Sequence, residues 1–214
     1  MINMENRKVP FLKMAFEYVS KMEISGDYFE FGVFRGKSFI SAMQQYNLIK
    51  NTFESGNEVR IFHAFDSFQG LPEPLPSELD KFKIKDFNAT QAEFERNILE
   101  SGFNLNNVKI YPGFFSDTLN SDLFEQFKKN DTKMAILYVD TDIYSSTKAV
   151  LNFCKSFLQP GSLICLDDYF ALKANQNNGQ IRAMKEFILE TPEFTLMEWG
   201  PINIFSKSFV VGLS

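Results

Sequence analysis

Residues 134–168 read MAILYVDTDIYSSTKAVLNFCKSFLQPGSLICLDD, and this stretch decides the architecture. Met134–Val139 is a short apolar run ending in Asp140-Thr141-Asp142, and Ser162–Leu166 is a second, ending in Asp167-Asp168. Uninterrupted apolar runs of this length read as strands buried on both faces, the pattern of a parallel sheet. Between them, Tyr144–Leu158 is amphipathic at helical spacing and is closed by Pro160-Gly161. Strand, helix and strand within about 30 residues form a right-handed crossover unit. Both aspartate pairs therefore fall at the carboxyl ends of neighbouring parallel strands, where open α/β sheets place their ligands. At about 4 Å, two like charges repel by roughly 4 kcal/mol at an effective dielectric of 20. Four carboxylates converging there need a cation or a proton. The alternative uses of such aspartates are to cap the following helices or to pair with Lys or Arg.

Working outward, Asp27–Val33, Val59–Asp66 and Val108–Tyr111 also read as strands. Helices are expected over about Pro10–Met22, Gly36–Ile49, Thr118–Lys129 and Gln180–Glu190. Thr90 and Glu93 form a capping box that opens another, reaching about Glu100. Two last strand-like runs, Phe194–Trp199 and Asn203–Val211, have a short connection and predict an antiparallel edge. The expectation is an α/β, doubly wound, mostly parallel seven-stranded sheet with an antiparallel edge. One domain over residues 1–214 is expected, with 1–26 as an N-terminal helix or lid element. The loop Ser67–Asn88, with Gly70, Pro72, Pro74 and Pro76 near its start, is long enough to be functional rather than a plain connection.

Composition narrows the function classes. A net charge of −5 offers no basic footprint, so no nucleic-acid partner is expected. No apolar run approaches ~18 residues, so no membrane span is expected. The N-terminal MINMENRKVPF lacks the apolar stretch of a signal peptide. Cys154 and Cys165 stand in apolar surroundings outside any CxxC and read as buried free thiols, which suits a cytoplasmic location. The single histidine, His63, lies inside an apolar run and reads as a core or edge residue, which excludes a Cys/His zinc site. The 25 phenylalanines read mainly as core. The apolar N-terminal helix and the terminal strands could form a homodimer interface or complete the core.

A glycine turn follows the first strand: Glu30-Phe31-Gly32-Val33-Phe34-Arg35-Gly36-Lys37-Ser38. Gly32 and Gly36 let the backbone turn sharply and approach a ligand. The next helix offers free N–H groups to a carboxylate or phosphate, and Ser38 can cap it or bond the ligand. The dinucleotide fingerprint G-x-G-x-x-G lacks its middle glycine here, leaving less room for a pyrophosphate. Asp66 ends the next strand and can accept both hydroxyls of a ribose. Glu30, inside a core strand, needs a buried partner such as a ligand ammonium. A plain βα turn with an exposed Asp66 is the alternative.

Five motifs in order carry a resemblance. They are Glu30-x-Gly32-x-x-x-Gly36-x-Ser38, Phe65-Asp66-Ser67-Phe68-x-Gly70-Leu71-Pro72, Gly113-x-Phe115-x-Asp117-Thr118-Leu119, Val139-Asp140-x-Asp142-x-Tyr144-x-Ser146-Thr147, and Leu166-Asp167-Asp168-Tyr169 with Gly179-Gln180-x-Arg182-Ala183. Together they resemble the macrocin O-methyltransferase (TylF-type) family, sugar O-methyltransferases with the Rossmann-like class I methyltransferase fold. The resemblance implies S-adenosylmethionine and Mg2+ as cofactors. Glu30, Gly32 and Ser38, with Gly36 in the turn, would contact the methionine part. Asp66 would bind the ribose, with Ser67 near the adenine. Gly113, Phe115 and Ser116 would flank the adenine. Asp140, Asp167 and Asp168 would hold magnesium, placing Asp140 beside the cofactor as well. Asp142 would be the general base.

Magnesium with carboxylates and exchangeable waters suits an acceptor bearing a hydroxyl pair. About 26 residues precede the first strand, fewer than the resemblance leads one to expect. That favours a nucleotide-linked sugar or the end of a surface polysaccharide over a macrolide. Leu71–Phe87 and Ala171–Gly179 are expected to shape the acceptor pocket. A catechol-like diol and a non-catalytic S-adenosylmethionine-binding module are the alternatives. A nicotinamide oxidoreductase is disfavoured by the missing glycine and the lack of a Tyr-x-x-x-Lys.

Overall fold

The computed structural model describes residues 5–53 and 59–214. Of the N-terminal stretch 1–11, residues 1–4 lie outside the described residues. In chain order the helices and strands are α1 (Glu5–Lys21), β1 (Asp27–Phe31), α2 (Lys37–Phe53), β2 (Phe62–Asp66), α3 (Gln91–Glu100), β3 (Val108–Pro112), α4 (Phe115–Thr118), α5 (Ser121–Lys129), β4 (Met134–Val139), α6 (Tyr144–Cys154), β5 (Leu163–Leu166), α7 (Gly179–Glu190), β6 (Phe194–Gly200) and β7 (Lys207–Leu213). The strands form one sheet in the order β3-β2-β1-β4-β5-β7-β6. All neighbours are parallel except the last two pairs, in which β7 runs against β5 and β6.

Both faces of the central strands are buried, as their continuous apolar sequences require. Alternate residues feed two cores. Tyr28, Phe62, Ile136 and Tyr138 pack under α1, α2 and α3. Phe29, Phe31, Leu137 and Val139 pack under α5, α6 and α7. The second core explains part of the phenylalanine content. Phe31, Phe65 and Tyr111 sit in register on β1, β2 and β3 and stack with ring centroids 4.3 and 4.2 Å apart. His63 is a member of a parallel stack, 4.0 Å from Phe29, and is buried as expected of a core histidine.

Several boundaries differ from expectation for local reasons. β1 stops at Phe31 because Gly32 turns away at φ +90°. α1 begins five residues before Pro10, so the proline lies inside the helix. The expected helix Thr118–Lys129 is split: Asn120 caps α5, its side chain accepting from Leu123 N at 3.0 Å. The Thr90–Glu93 capping box forms as expected. β7 begins at Lys207 rather than Asn203, because the Ser206 hydroxyl gathers the Ile202 and Asn203 N–H groups, each at 2.6 Å, into a buried turn.

Strand order reverses between β1 and β4, and backbone bonds align the loop starts there. Gly32 N donates to Phe65 O, Asp140 N to Phe31 O, Asp167 N to Val139 O, and Gly113 N to Asp66 O, at 2.8–3.0 Å. The glycine turn and both aspartate pairs therefore leave the sheet side by side, in the crevice where such folds bind ligands.

Candidate active site

Gly32 is irreplaceable on space alone. A Cβ built there would lie 1.9 Å from the Asp140 carbonyl oxygen. Gly36, at φ +85°, lies beneath α3, where a Cβ would come within 2.8 Å of the Phe94 ring. The turn between them depends on Asp66. Its Oδ2 accepts from Phe34 N and its Oδ1 from Phe68 N, both at 2.8 Å. Phe34 and Phe68 adopt φ of +49° and +52°, so one carboxylate fixes two left-handed residues. Burial raises the Asp66 pKa, and the backbone N–H groups pull it the other way.

Glu30 is fully buried beneath Ser38 and does not line the cavity. Ser38 Oγ donates to Oε1 and Tyr28 OH to Oε2, both at 2.5 Å. Burial pushes the Glu30 carboxyl up from 4.5 to about 8 against both hydrogen bonds. The neutral form is therefore favoured on folding. Its contribution to stability is complete below pH 4.5 and is lost as pH rises to about 8. The full span corresponds to about 5 kcal/mol as an order of magnitude. Glu30→Gln, neutral at every pH, is expected to melt progressively higher than the parent from pH 4.5 to 8. Scanning calorimetry checks this, and a constant difference in Tm across that range would contradict it.

Opposite the glycine turn, Asp140, Asp167 and Asp168 each present a carboxylate oxygen within 4.8 Å of the others. Tyr138 OH and Asn203 Nδ2 donate to Asp167 Oδ1 at 2.7 and 3.1 Å. Gln180 ties Asp168 to β4, accepting from Asp168 N and donating to Val139 O. Asp168 Oδ2 is buried with no hydrogen-bond partner among the described residues. Asp142, at φ +60°, stands beside this group and interacts electrostatically with Asp168 and Asp140. Burial, then the neighbouring carboxylates, raise the pKa of both Asp142 and Asp168. Burial and Asp140 likewise raise Asp167. Lys8, from α1, puts Nζ 3.0 Å from both Asp140 Oδ2 and Asp167 Oδ2. Burial alone would lower the Lys8 pKa, but these two carboxylates outweigh it and hold the ammonium charged. Three hard oxygen donors around an orphaned buried oxygen fit a divalent cation such as magnesium.

These groups share one cavity of about 600 Å³. Gly32, Ser38, Asp66, Ser67, Phe115, Asp140, Asp142, Asp167 and Asp168 line it. Gly36 sits behind the wall, as Glu30 does. Gly113 and Ser116 are not among the lining residues: Gly113 bonds the end of β2, and Ser116 is exposed beside Asp117. Leu71, Pro72 and Phe87 enter from the loop Leu71–Phe87, whereas no residue of Ala171–Gly179 is among the lining residues; the structure adds Lys8 and Val9 from α1, Phe34 and Ser41 around the glycine turn, and Asn203. No local sequence signal marks Lys8 or Asn203, whose roles arise from contacts with residues far along the chain.

The long loop is fastened by Glu78, which is fully buried. Its Oε1 accepts from Tyr144 N at 2.8 Å and Gly179 N at 3.1 Å, at the starts of α6 and α7. Its Oε2 accepts from Leu75 N at 2.9 Å. One carboxylate thus serves two helix N-termini, where negative charge is favoured. Phe82, Ile143 and Ala171 pack beside it with Leu71 and Leu172, joining the two loops expected to shape the acceptor pocket. Glu78→Ala orphans three N–H groups and is expected to cost about 3–5 kcal/mol in urea unfolding. A loss under about 1 kcal/mol would show that the carboxylate does not hold the loop.

The Macrocin-O-methyltransferase (TylF) family profile matches residues 2–190. The mycinamicin III 3''-O-methyltransferase of Micromonospora griseorubida is 29% identical over 158 residues, 68% of this chain and 56% of that protein. An 8-demethyl-8-(2,3-dimethoxy-alpha-L-rhamnosyl)-tetracenomycin-C 4'-O-methyltransferase of Streptomyces olivaceus is 28% identical over 167 residues, 74% of this chain and 58% of that protein. The chain thus spans little more than half the length of these curated relatives. Among solved structures, the O-methyltransferase NovP superposes with a TM-score of 0.75 at 21% identity, covering 95% of this chain and 79% of that one. A calicheamicin methyltransferase gives 0.69 at 20% identity, covering 94% and 77%. These likenesses identify the fold as that of the Rossmann-like class I methyltransferases. With a match extending from the first helix through the last, the chain belongs to the macrocin-O-methyltransferase (TylF) family.

Proposed function

We propose that this protein is an S-adenosylmethionine- and magnesium-dependent O-methyltransferase acting on a hydroxyl of a sugar or sugar-bearing acceptor, with residues 1–214 forming one catalytic domain. The observation that carries the reading is the shared cavity. On one side stand the glycine turn and Asp66, and on the other three carboxylates with an orphaned buried oxygen and Asp142 beside them. Both curated relatives are named as O-methyltransferases, and the name of the Streptomyces olivaceus protein specifies a rhamnosyl-bearing acceptor, which supports the acceptor class.

In this reading Asp140, Asp167 and Asp168 hold the cation, and Asp66 accepts the ribose hydroxyls. Ser38, backed by Glu30, receives the methionine end across Gly32. Ser67 and Phe115 border the adenine, with Gly113 and Ser116 in the loop behind. When bound, S-adenosylmethionine supplies an electrophilic sulfonium methyl and magnesium a Lewis acid for the acceptor hydroxyl. Asp142 accepts the hydroxyl proton on its carboxylate. Burial first, and the neighbouring carboxylates second, raise its pKa, and divalent charge among the other three aspartates would offset that second cause and favour the carboxylate that acts as base. Phe34, Leu71, Pro72 and Phe87 give the cavity an apolar wall that limits water at the reacting atoms.

The test is methyl transfer from labelled S-adenosylmethionine, with magnesium, to nucleotide sugars, glycosylated natural products and catechols. Transfer to a sugar hydroxyl is expected. Transfer to catechols alone would replace the acceptor class. Cofactor binding without transfer to any acceptor would favour a non-catalytic module.

A further inference from the structure

The N-terminal turn of α1 brings a cation of its own into the carboxylate cluster. Lys8 Nζ is 3.0 Å from Asp140 Oδ2 and 3.0 Å from Asp167 Oδ2. Asp167 has no other oxygen to offer a cation cheaply, since its Oδ1 already accepts from Tyr138 and Asn203. A divalent ion bound at this pair would need the oxygens that Lys8 holds. Lys8 is also an incomplete solution: one ammonium faces three carboxylates, and Asp168 Oδ2 has no hydrogen-bond partner among the described residues.

The turn that carries Lys8 is built to leave. Pro10 follows two residues later, is exposed, and has no N–H to bond back to the first turn of α1. The residue before a proline is also biased away from helix. Beyond it, Phe11, Leu12, Ala15 and Phe16 are buried in the core and fix the remainder of the helix. Lys8 and Val9, ahead of Pro10, stand outside that core cluster, so their turn can move while those side chains stay packed.

Resting on the divalent-cation reading of the cluster, we propose that the Lys8 ammonium and the metal are alternative occupants of the Asp140–Asp167 pair. Lys8 then sets the metal affinity, and loading the site releases the first turn of α1. The free enzyme keeps its acidic cluster partly neutralised, and the N-terminal turn reports on metal occupancy.

The experiment is calorimetric titration of magnesium chloride into the full chain and into Lys8→Met, with hydrogen exchange of α1 in the parent protein before and after saturation. The variant is expected to bind magnesium at least 10-fold more tightly. Exchange at the Val9, Phe11 and Leu12 amides, whose helical acceptors lie in the first turn of α1, should accelerate on loading, while amides from Met14 onward stay protected. Binding by the variant alone would also support the proposal, in its strongest form. Equal affinities, or exchange at those amides that magnesium leaves unchanged, would overturn it and leave the metal site standing. Binding by neither protein would overturn the metal reading together with this proposal. Should Lys8→Met fail to fold, exchange in the parent decides alone.

Discussion

Asp142→Asn is expected to lower turnover by about 10²–10⁴-fold, the usual contribution of a positioned general base. The substitution is conservative in every other respect. Asparagine has the same shape, and it tolerates the left-handed backbone, φ +60°, that Asp142 adopts. It cannot take a proton from the acceptor. Asp142 belongs neither to the three-carboxylate set nor to the glycine turn, so cofactor and magnesium affinities should stay within a few-fold of the parent. Single-turnover rates, with calorimetry for S-adenosylhomocysteine and magnesium, separate these effects. Unchanged turnover would remove Asp142 from the base role. Loss of magnesium binding would make it a ligand instead.

The part of the site that lies on strand ends was legible in the sequence. Met134–Val139 and Ser162–Leu166 are apolar without interruption because both faces of β4 and β5 are covered. That pattern places Asp140, Asp142, Asp167 and Asp168 at one end of the sheet before any contact is known. Gly32 was legible for a similar reason, since a turn directly after a buried strand has few other solutions. Glu30 was half legible. An acid in a core strand had to find a partner, but the partners are Tyr28 and Ser38, and the carboxylate lies behind the cavity wall.

What escaped the sequence depends on contacts between distant segments. Lys8 is separated from Asp140 by 132 positions, and Glu78 from Gly179 by 101. On sequence alone Lys8 precedes the expected helix Pro10–Met22, and Glu78 is one acid in a loop. Asn203 was hidden differently. It stands in a run that alternates like a strand, and only the Ser206 turn removes it from β7 and aims it at Asp167. The break between α4 and α5 was within reach, because Asn120 three residues before Leu123 is an N-cap signal. The phenylalanine content needed the sheet register, which turns Phe31, Phe65 and Tyr111 into one stack.

The account rests on the carboxylate cluster being a working cation site. A divalent charge there is worth several kcal/mol to a developing alkoxide, so its removal should cost on the same order as the loss of the base. Three aspartates with only Lys8 to offset them would repel the same alkoxide. The direct measurement is methyl transfer to a sugar acceptor by enzyme stripped with EDTA, then titrated with magnesium. The rate is expected to fall by about 10³-fold or more and to return saturably with added metal. Stripped enzyme that transfers methyl groups at the full rate would contradict the account.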